Sequence, residues 1–423
     1  MAMINKHILI FGGLGNPEHS VIKLYRELLI ELYSHYSLIA IDPIKNHNKA
    51  REELYSQTNI NYHHSYPNLN NYLDNQGKHE ISAVFILTPV IYHLDILNQI
   101  QPFIPNNDCL VIIEKPSFSI DEIDEGFNQT VQKMKEQDNR FYFIDTAMVT
   151  PPLMDFSTNI EIPHEELPKK IIALGVDNPL NPHPLISEFS FCNKIASYNQ
   201  RQLLNLATSG GAGFGLDMGI HAIAGFMTLI EKLPITVTNI TIDNVFLEAL
   251  TYPDLKRDNN AETYMLCSGN VTSASNDIAF IIEGGKGTDT WDRRLELYYE
   301  NCVIVLGFGT LKYSPYFCSI SDTKVIRREY KVAQSGYVQH FIDIRNLLGI
   351  SNEAALISSD LSEKIMRNSM VLLRDIYQLT SNPITQDKNI TLVETHKNQL
   401  LNSHETKIRT RLNKMLEDSL LNH

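Results

Sequence analysis

From Lys6 to Ile144, short apolar runs alternate with segments of helical periodicity, and this alternation narrows the possible folds more than any other feature of the chain. The runs are Lys6–Phe11, Leu38–Ile41, Ala83–Leu87, Val111–Ile113 and Phe141–Ile144, each read as a short strand, with Val111–Ile113 β-branched throughout. After the first run, Val21, Ile22, Leu24, Tyr25, Leu28, Leu29 and Leu32 recur at helical spacing. A helix containing His93 follows the third run, and Ser119-Ile120-Asp121-Glu122 is a capping box that starts a helix running to about Gln137. Asn46 to Gln76 is polar and is expected to form short helices and loops. Strands alternating with helices in this way give an α/β domain built on a doubly wound parallel sheet. In such a sheet, ligands bind at the carboxyl ends of the strands.

The residues that end these runs are therefore the first candidates for chemistry. The first run stops at Gly12-Gly13-Leu14-Gly15-Asn16-Pro17-Glu18, with Asn16 a good N-cap and Pro17 a good first helical residue. Strand, glycine turn and helix together aim backbone N–H groups at a phosphate, which makes Gly13, Leu14, Gly15 and Asn16 candidate cofactor-binding residues. They fill the dinucleotide pattern G-x-G-x-x-G except at its last place, where Glu18 stands. An acid in the first turn also suits a helix dipole with no nucleotide present. Asp42, ending the second run, is placed to accept hydrogen bonds from ribose hydroxyls and so favours NAD. Lys45 and Arg51 follow it and could instead hold the 2′-phosphate of NADP, so the cofactor reads as NAD or NADP, with NAD slightly favoured. Thr88-Pro89 ends the third run, and His93 beyond it reads equally well as a helix-surface residue. Val111–Ile113 ends in Glu114-Lys115-Pro116, and the proline keeps Lys115 in extended backbone at the strand end. There its ammonium can point into a crevice, as a hydrogen-bond donor or an acid; the plainer reading is a salt-bridged loop lysine.

From about Thr146 the texture changes. Pro151, Pro152, Pro163, Pro168, Pro179, Pro182 and Pro184 punctuate loops around one strand, Lys170–Val176. The glycine-rich stretch Ser209–His221 then runs into an apolar helix reaching about Leu233. Within it Asp217 and His221 are four apart, on one face of a helix. A carboxylate beside a histidine raises its basicity and orients it; a structural hydrogen bond is the plainer reading. Val237–Leu247, Glu262–Val271, Ile278–Glu283, Arg294–Tyr299 and Cys302–Leu306 follow as strands of a largely antiparallel sheet, and Tyr337–Leu348 and Glu363–Leu379 as helices. The expected organisation is a dinucleotide-binding domain over 1–147, an α+β domain with a largely antiparallel sheet over 148–394, and a helical tail over 395–423.

Bulk properties exclude several classes. A length of 423 residues, 43% hydrophobic and 20% charged, suits two globular cores. A net charge of −13 with no long basic run disfavours nucleic-acid and anionic-membrane partners. No apolar run approaches the roughly 18 residues of a membrane span, and Ile8–Phe11 is too short for a signal peptide. The five cysteines (Cys109, Cys192, Cys267, Cys302, Cys318) are scattered, without a C-x-x-C pair, as in a reduced, cytoplasmic protein. No His/Cys/Asp/Glu cluster has zinc or iron spacing, so no metal is expected. Neither a G-x-S-x-G elbow nor a P-loop occurs.

Three separated features thus stand in order: the glycine turn, Glu114-Lys115-Pro116, and Gly210-Gly211 followed by Asp217-Met218-Gly219-Ile220-His221. Together they resemble the Gfo/Idh/MocA (glucose–fructose oxidoreductase, inositol dehydrogenase, rhizopine catabolism) family. Thr88-Pro89 with His93, and Arg293-Arg294-Leu295-Glu296-Leu297-Tyr298, also look like pieces of that pattern, so the likeness extends over about residues 5 to 390. The resemblance implies a Rossmann domain, then an α/β domain whose open sheet serves oligomer contacts. It implies oxidation or reduction of a small-molecule sugar, cyclitol or related polyol with NAD(P), in a homo-oligomer. Carried onto this chain, Lys115 would contact the reacting hydroxyl, His221 would be the general base, and Asp217 would orient or charge-couple the pair. Thr88, Pro89, His93, Glu114 and Lys115 would border the cofactor. Glucose 6-phosphate dehydrogenase also carries a strand-end Glu-Lys-Pro, but its His-Tyr-x-Gly-Lys is missing where Asp145-Thr146-Ala147-Met148-Val149 stands. The alternative from another class is a non-catalytic sensor or scaffold of the same fold, which the altered glycine turn favours and the presence of Lys115, Asp217 and His221 opposes.

Overall fold

The structure is a computed structural model. It describes residues 6–15, 21–76, 80–104, 108–177, 191–249, 254–274, 276–286, 292–309, 314–321, 323–331, 336–380, 385–386 and 400–420. Asn16, Pro17 and Glu18, and with them the expected N-cap and the departure from the glycine pattern, lie outside the described residues. The chain divides into two compact units, the first made of Met1–Thr150, Ala207–Gly211 and Ser335–Leu372, the second of Pro151–Leu206, Ala212–Gln334 and Leu373–His423.

The first unit holds six strands: β1 (Lys6–Phe11), β2 (Ser37–Ile41), β3 (His64–Tyr66), β4 (Glu80–Ile86), β5 (Leu110–Glu114) and β6 (Arg140–Ile144). All pair in parallel, in the order β3-β2-β1-β4-β5-β6. This is the doubly wound order whose strand sequence reverses between β1 and β4. The apolar runs are there because both sheet faces are covered: Ile8, Leu9, Ile10, Val111, Ile112 and Ile113 are all fully buried. Each such side chain contributes about 1.5–3 kcal/mol relative to exposure. β3 is the one strand of this sheet that the polar stretch from Asn46 to Gln76 does not announce, since His64-Ser65-Tyr66 has no apolar run and pairs only along β2. The capping box forms at Ser119, but the helix it begins passes from a 3₁₀ turn, Ile120–Glu122, through a π-helical segment, Glu125–Val131.

Ser335–Leu372 belong to the first unit although the second unit's strands precede them. A buried polar network ties them there. The Tyr142 hydroxyl on β6 donates to Asp343 Oδ2 at 2.6 Å, and His340 sets Nδ1 2.8 Å from that hydroxyl and Nε2 2.8 Å from the Asp145 carbonyl oxygen. Both His340 and Asp343 sit in the helix Gly336–Leu347.

The second unit is a nine-stranded mixed sheet of β7 (Lys170–Asp177), β8 (Val237–Ala249), β9 (Tyr264–Ser273), β10 (Asp277–Lys286), β11 (Asp292–Tyr298), β12 (Cys302–Gly307), β13 (Tyr316–Ser321), β14 (Val325–Glu329) and β15 (Thr385–Gln386). Their order is β14-β13-β12-β11-β7-β10-β9-β8-β15. Pairing is antiparallel except between β7 and β10 and between β8 and β15. The Arg293–Tyr298 segment therefore lies beside the central strand, not at the sheet's margin.

One face of this sheet receives the helix Ile220–Lys232. A Cβ on Gly175 would lie 2.4 Å from the Met218 carbonyl oxygen, so only glycine lets the helix start approach β7 this closely. The opposite face packs Ile172, Leu174, Val176, Val305 and Cys318 against Ile195 and Tyr198 of the helix Phe191–Gln200, and against Leu401 and Leu412. Leu412 belongs to the helix Ser403–Leu420. That helix also inserts Arg409, whose Nη2 lies 2.9 Å from Glu283 Oε2.

Candidate active site

In the first unit the candidate residues gather at the carboxyl ends of β1, β2, β4 and β5. The glycine turn begins with Gly12 at φ +77°, where a Cβ would press within 2.9 Å of the Leu87 carbonyl oxygen. Leu14 N–H donates to Asp42 Oδ2 at 3.1 Å, so the turn after β1 and the acid after β2 are joined directly. Burial raises the Asp42 carboxyl, and the Leu14 N–H opposes the rise. The Tyr62 hydroxyl donates to the Gly13 carbonyl at 2.9 Å and backs the turn from below. Arg51, a candidate for a 2′-phosphate, instead donates from Nη2 to the Tyr62 carbonyl.

His93 is buried rather than on a helix surface. Its Nε2 lies 2.8 Å from the Thr88 carbonyl oxygen and its Nδ1 3.0 Å from that of Ser117, so the ring spans the loops that follow β4 and β5. Burial lowers its pKa against the pull of those two carbonyls. The Thr88 hydroxyl oxygen is buried and has no hydrogen-bond partner among the described residues.

The Glu-Lys-Pro stretch ends β5, with a cis Lys115–Pro116 peptide and a half-buried Lys115. Glu114 points inward and is 4% exposed. Its Oε1 accepts from the Tyr25 and Tyr337 hydroxyls, each at 2.9 Å, and its Oε2 accepts from the Lys115 N–H at 2.9 Å. Burial pushes the Glu114 carboxyl up to about 7, against the opposing Lys115 charge and the hydroxyl bonds. Glu114 thus anchors the backbone that presents Lys115. Tyr25 and Tyr337 could not be found in the sequence as partners, because they come from positions 89 residues before and 223 residues after it.

In the second unit Asp217 lies in a π-helical turn, Gly215–Gly219, which leads without a break into Ile220–Lys232, where His221 is 3% exposed. The turn is held by Glu262, whose Oε2 accepts from Gly213 N–H at 2.9 Å and whose Oε1 accepts from Gly215 N–H at 2.8 Å and from the Tyr377 hydroxyl at 2.6 Å. Asp217 Oδ2 meets the ammonium of Lys286, the last residue of β10, at 2.6 Å. Sequence reading missed both Glu262 and Lys286. A lone acid just ahead of a strand and a lone lysine closing one carry no signature, and only the pairing of the strands brings them to this helix start.

No family model matches the sequence, and no curated protein matches it. Solved structures do. A myo-inositol 2-dehydrogenase from Lactobacillus plantarum is 14% identical, with a TM-score of 0.56 over 88% of this chain and 96% of its own. KijD10, a 3-ketoreductase from Actinomadura kijaniata solved with TDP-benzene and NADP, is 10% identical, with a TM-score of 0.57 over 89% and 98%. UDP-N-acetylglucosamine 3-dehydrogenase GnnA from Acidithiobacillus ferrooxidans is 11% identical, with a TM-score of 0.52 over 88% and 97%. The likeness is one of fold: a parallel dinucleotide-type domain followed by a sheet domain, shared along nearly the full length of each of these chains.

Proposed function

We propose that this chain is an NAD(P)-dependent oxidoreductase that moves a hydride between a nicotinamide cofactor and a CH–OH group of a sugar, cyclitol or related polyol. The observation that carries the reading is the junction at Leu14, where a glycine turn and a strand-end acid are bonded to each other beside the point at which the parallel strand order reverses. The solved structures of like fold, named for action on inositol and on nucleotide-linked sugars, support the substrate class.

The residues present fit a dinucleotide. Gly12 permits close approach of backbone, Asp42 offers a carboxylate to ribose hydroxyls, and the Thr88 hydroxyl, without a partner among the described residues, lies just past the end of β4. With Arg51 engaged at Tyr62 and Asp42 in place, NAD is the better fit of the two cofactors. Bound there, the nicotinamide would accept or return the hydride. The chain's own work is with the hydroxyl proton and its charge. Lys115, presented by an anchored strand end, stabilises the negative charge that develops on oxygen. His221 takes the proton as general base, a task suited to imidazole near neutral pH. Asp217 is the carboxylate of the set.

Titration of the purified full-length chain with NAD, NADH, NADP and NADPH, followed by calorimetry or nicotinamide fluorescence, tests the cofactor. NAD and NADH should bind and the phosphorylated pair more weakly; binding of none would replace this reading with the non-catalytic one. With a polyol substrate in hand, Lys115→Ala and His221→Ala should each lower kcat about 100-fold or more, and His221→Ala should leave the cofactor dissociation constant unchanged. Wild-type turnover in both variants would remove them from the reaction.

A further inference from the structure

None of these roles accounts for Lys286. Its side chain is 6% exposed, and its Nζ lies 4.5 Å from the ring centroid of Tyr198 and 4.9 Å from that of Phe214, with Asp217 Oδ2 at 2.6 Å. Among the described residues, charged and titratable groups face it from several elements. Asp217 comes from the π turn, Asp177 from the end of β7, Tyr198 from the helix Phe191–Gln200 and Arg201 from the turn beyond that helix. The Tyr198 hydroxyl donates to Asp177 Oδ2 at 3.2 Å, and Arg201 Nη2 stands 3.9 Å from Asp217 Oδ1.

An ammonium held between two rings has lost most of its water, at a cost that its partners must offset. A methionine would fill the same space with no such cost, so packing alone does not call for lysine here. What lysine adds is a fixed positive charge on Asp217. A carboxylate four residues from a histidine on one helical segment raises the histidine's proton affinity, and the effect shrinks when a second cation balances it.

We propose that Lys286 is a positioning residue of this site, whose ammonium fixes the Asp217 carboxylate and balances the charge that His221, four residues further along the same helical segment, experiences. The inference rests on the reading of His221 as the general base. The device has an alkaline limit: burial pushes the Lys286 ammonium down to about 8, against the opposing attraction of Asp217, so the balance is lost above that pH.

The test uses full-length protein carrying Lys286→Met or Lys286→Arg. The His221 titration is followed by NMR of histidine-labelled protein and assigned with His221→Gln. Lys286→Met should move the His221 titration up by as much as about two pH units, the order expected for one charge at roughly 6 Å and an effective dielectric near 20, with Arg201 beside Asp217 reducing the shift. Lys286→Arg should bring it back toward wild type, and the acid limb of kcat/KM should move with it in both variants. An unmoved His221 titration in Lys286→Met overturns the proposal, whatever the turnover. A moved titration in a protein that turns over no polyol upholds the Lys286 coupling and overturns the oxidoreductase reading instead. Should Lys286→Met fail to fold, Asp217→Asn serves in its place: the Lys286 ammonium signal should then disappear at lower pH than in wild type, and an unchanged signal overturns the pairing.

Discussion

Two buried carboxylates, one in each unit, are satisfied by opposite means. Glu114, 4% exposed, accepts from two tyrosine hydroxyls and a backbone N–H, and its proton affinity rises into the neutral range. Glu296, on β11 and fully buried, lies 2.7 Å from Arg294 Nη2 and 3.4 Å from Arg409 Nε, and also accepts from the Tyr298 hydroxyl at 2.8 Å. Burial alone would push the Glu296 carboxyl up, but the two guanidinium groups outweigh it and hold the carboxyl below its ordinary range. Equal burial therefore decides nothing about charge; the partners do. Neutral donors make Glu114 a proton-sensitive anchor behind Lys115. Opposite charges make Glu296 a fixed part of the network through which the helix Ser403–Leu420 is joined to the sheet.

The contrast can be broken first at Arg294, which pairs with Asp292 at 2.6 Å as well as with Glu296. Arg294→Met takes a counter-charge from both carboxylates and should cost about 3–5 kcal/mol in denaturant unfolding. A loss below about 1 kcal/mol would mean that Arg409 and the tyrosine hydroxyls suffice alone.

A second prediction is a pH dependence that only the Glu114 type of site creates. The folded-state pKa of Glu114, about 7, lies above the ordinary value of 4.5, so the native state holds the proton more tightly than the unfolded state. Its contribution is fully present below about pH 4.5 and is lost as pH rises through about 7, an effect of up to about 3 kcal/mol. Glu114→Gln should flatten that decline when unfolding free energies of the two proteins are compared from pH 4 to 8. Parallel curves would show that Glu114 does not titrate in this window.

The smallest effect compares two hydroxyls. Tyr337→Phe removes one of two side-chain donors from Glu114 and should cost about 1–2 kcal/mol. Tyr298→Phe removes a donor from a carboxylate that keeps its guanidinium partners and should cost less. Matched thermal and denaturant unfolding of the two variants ranks them; the reverse order would sink the distinction.

Much of the first unit was legible because its signals are local. Ile8–Phe11 and Val111–Ile113 are buried on both sides and so are apolar throughout, and Ser119 with Glu122 caps a helix start through residues three apart. β3 was not legible, since His64-Ser65-Tyr66 is a strand only because β2 offers it an edge. Among the candidates, Asp42 and the glycine turn were visible as types at a spacing, but the Leu14–Asp42 bond that joins them was not. His93 left two readings open, and burial between two carbonyls settled its surroundings. Asp217 and His221 were visible through their spacing of four, whereas the cation beside Asp217 was not, because Lys286 is 69 residues away.

By itself the sequence determined the alternation of strands and helices, the doubly wound class and the residue types placed at strand ends. Those follow from backbone preferences and from the period of apolar residues, which act over a few positions. The tertiary structure alone decided which partner each buried polar group meets: Tyr25 and Tyr337 for Glu114, Glu262 for the turn before Asp217, Lys286 for Asp217 itself. A buried charge is set by whatever lies within a few ångströms of it, and pairing distant strands and helices, not the order of residues along the chain, fixes that neighbourhood.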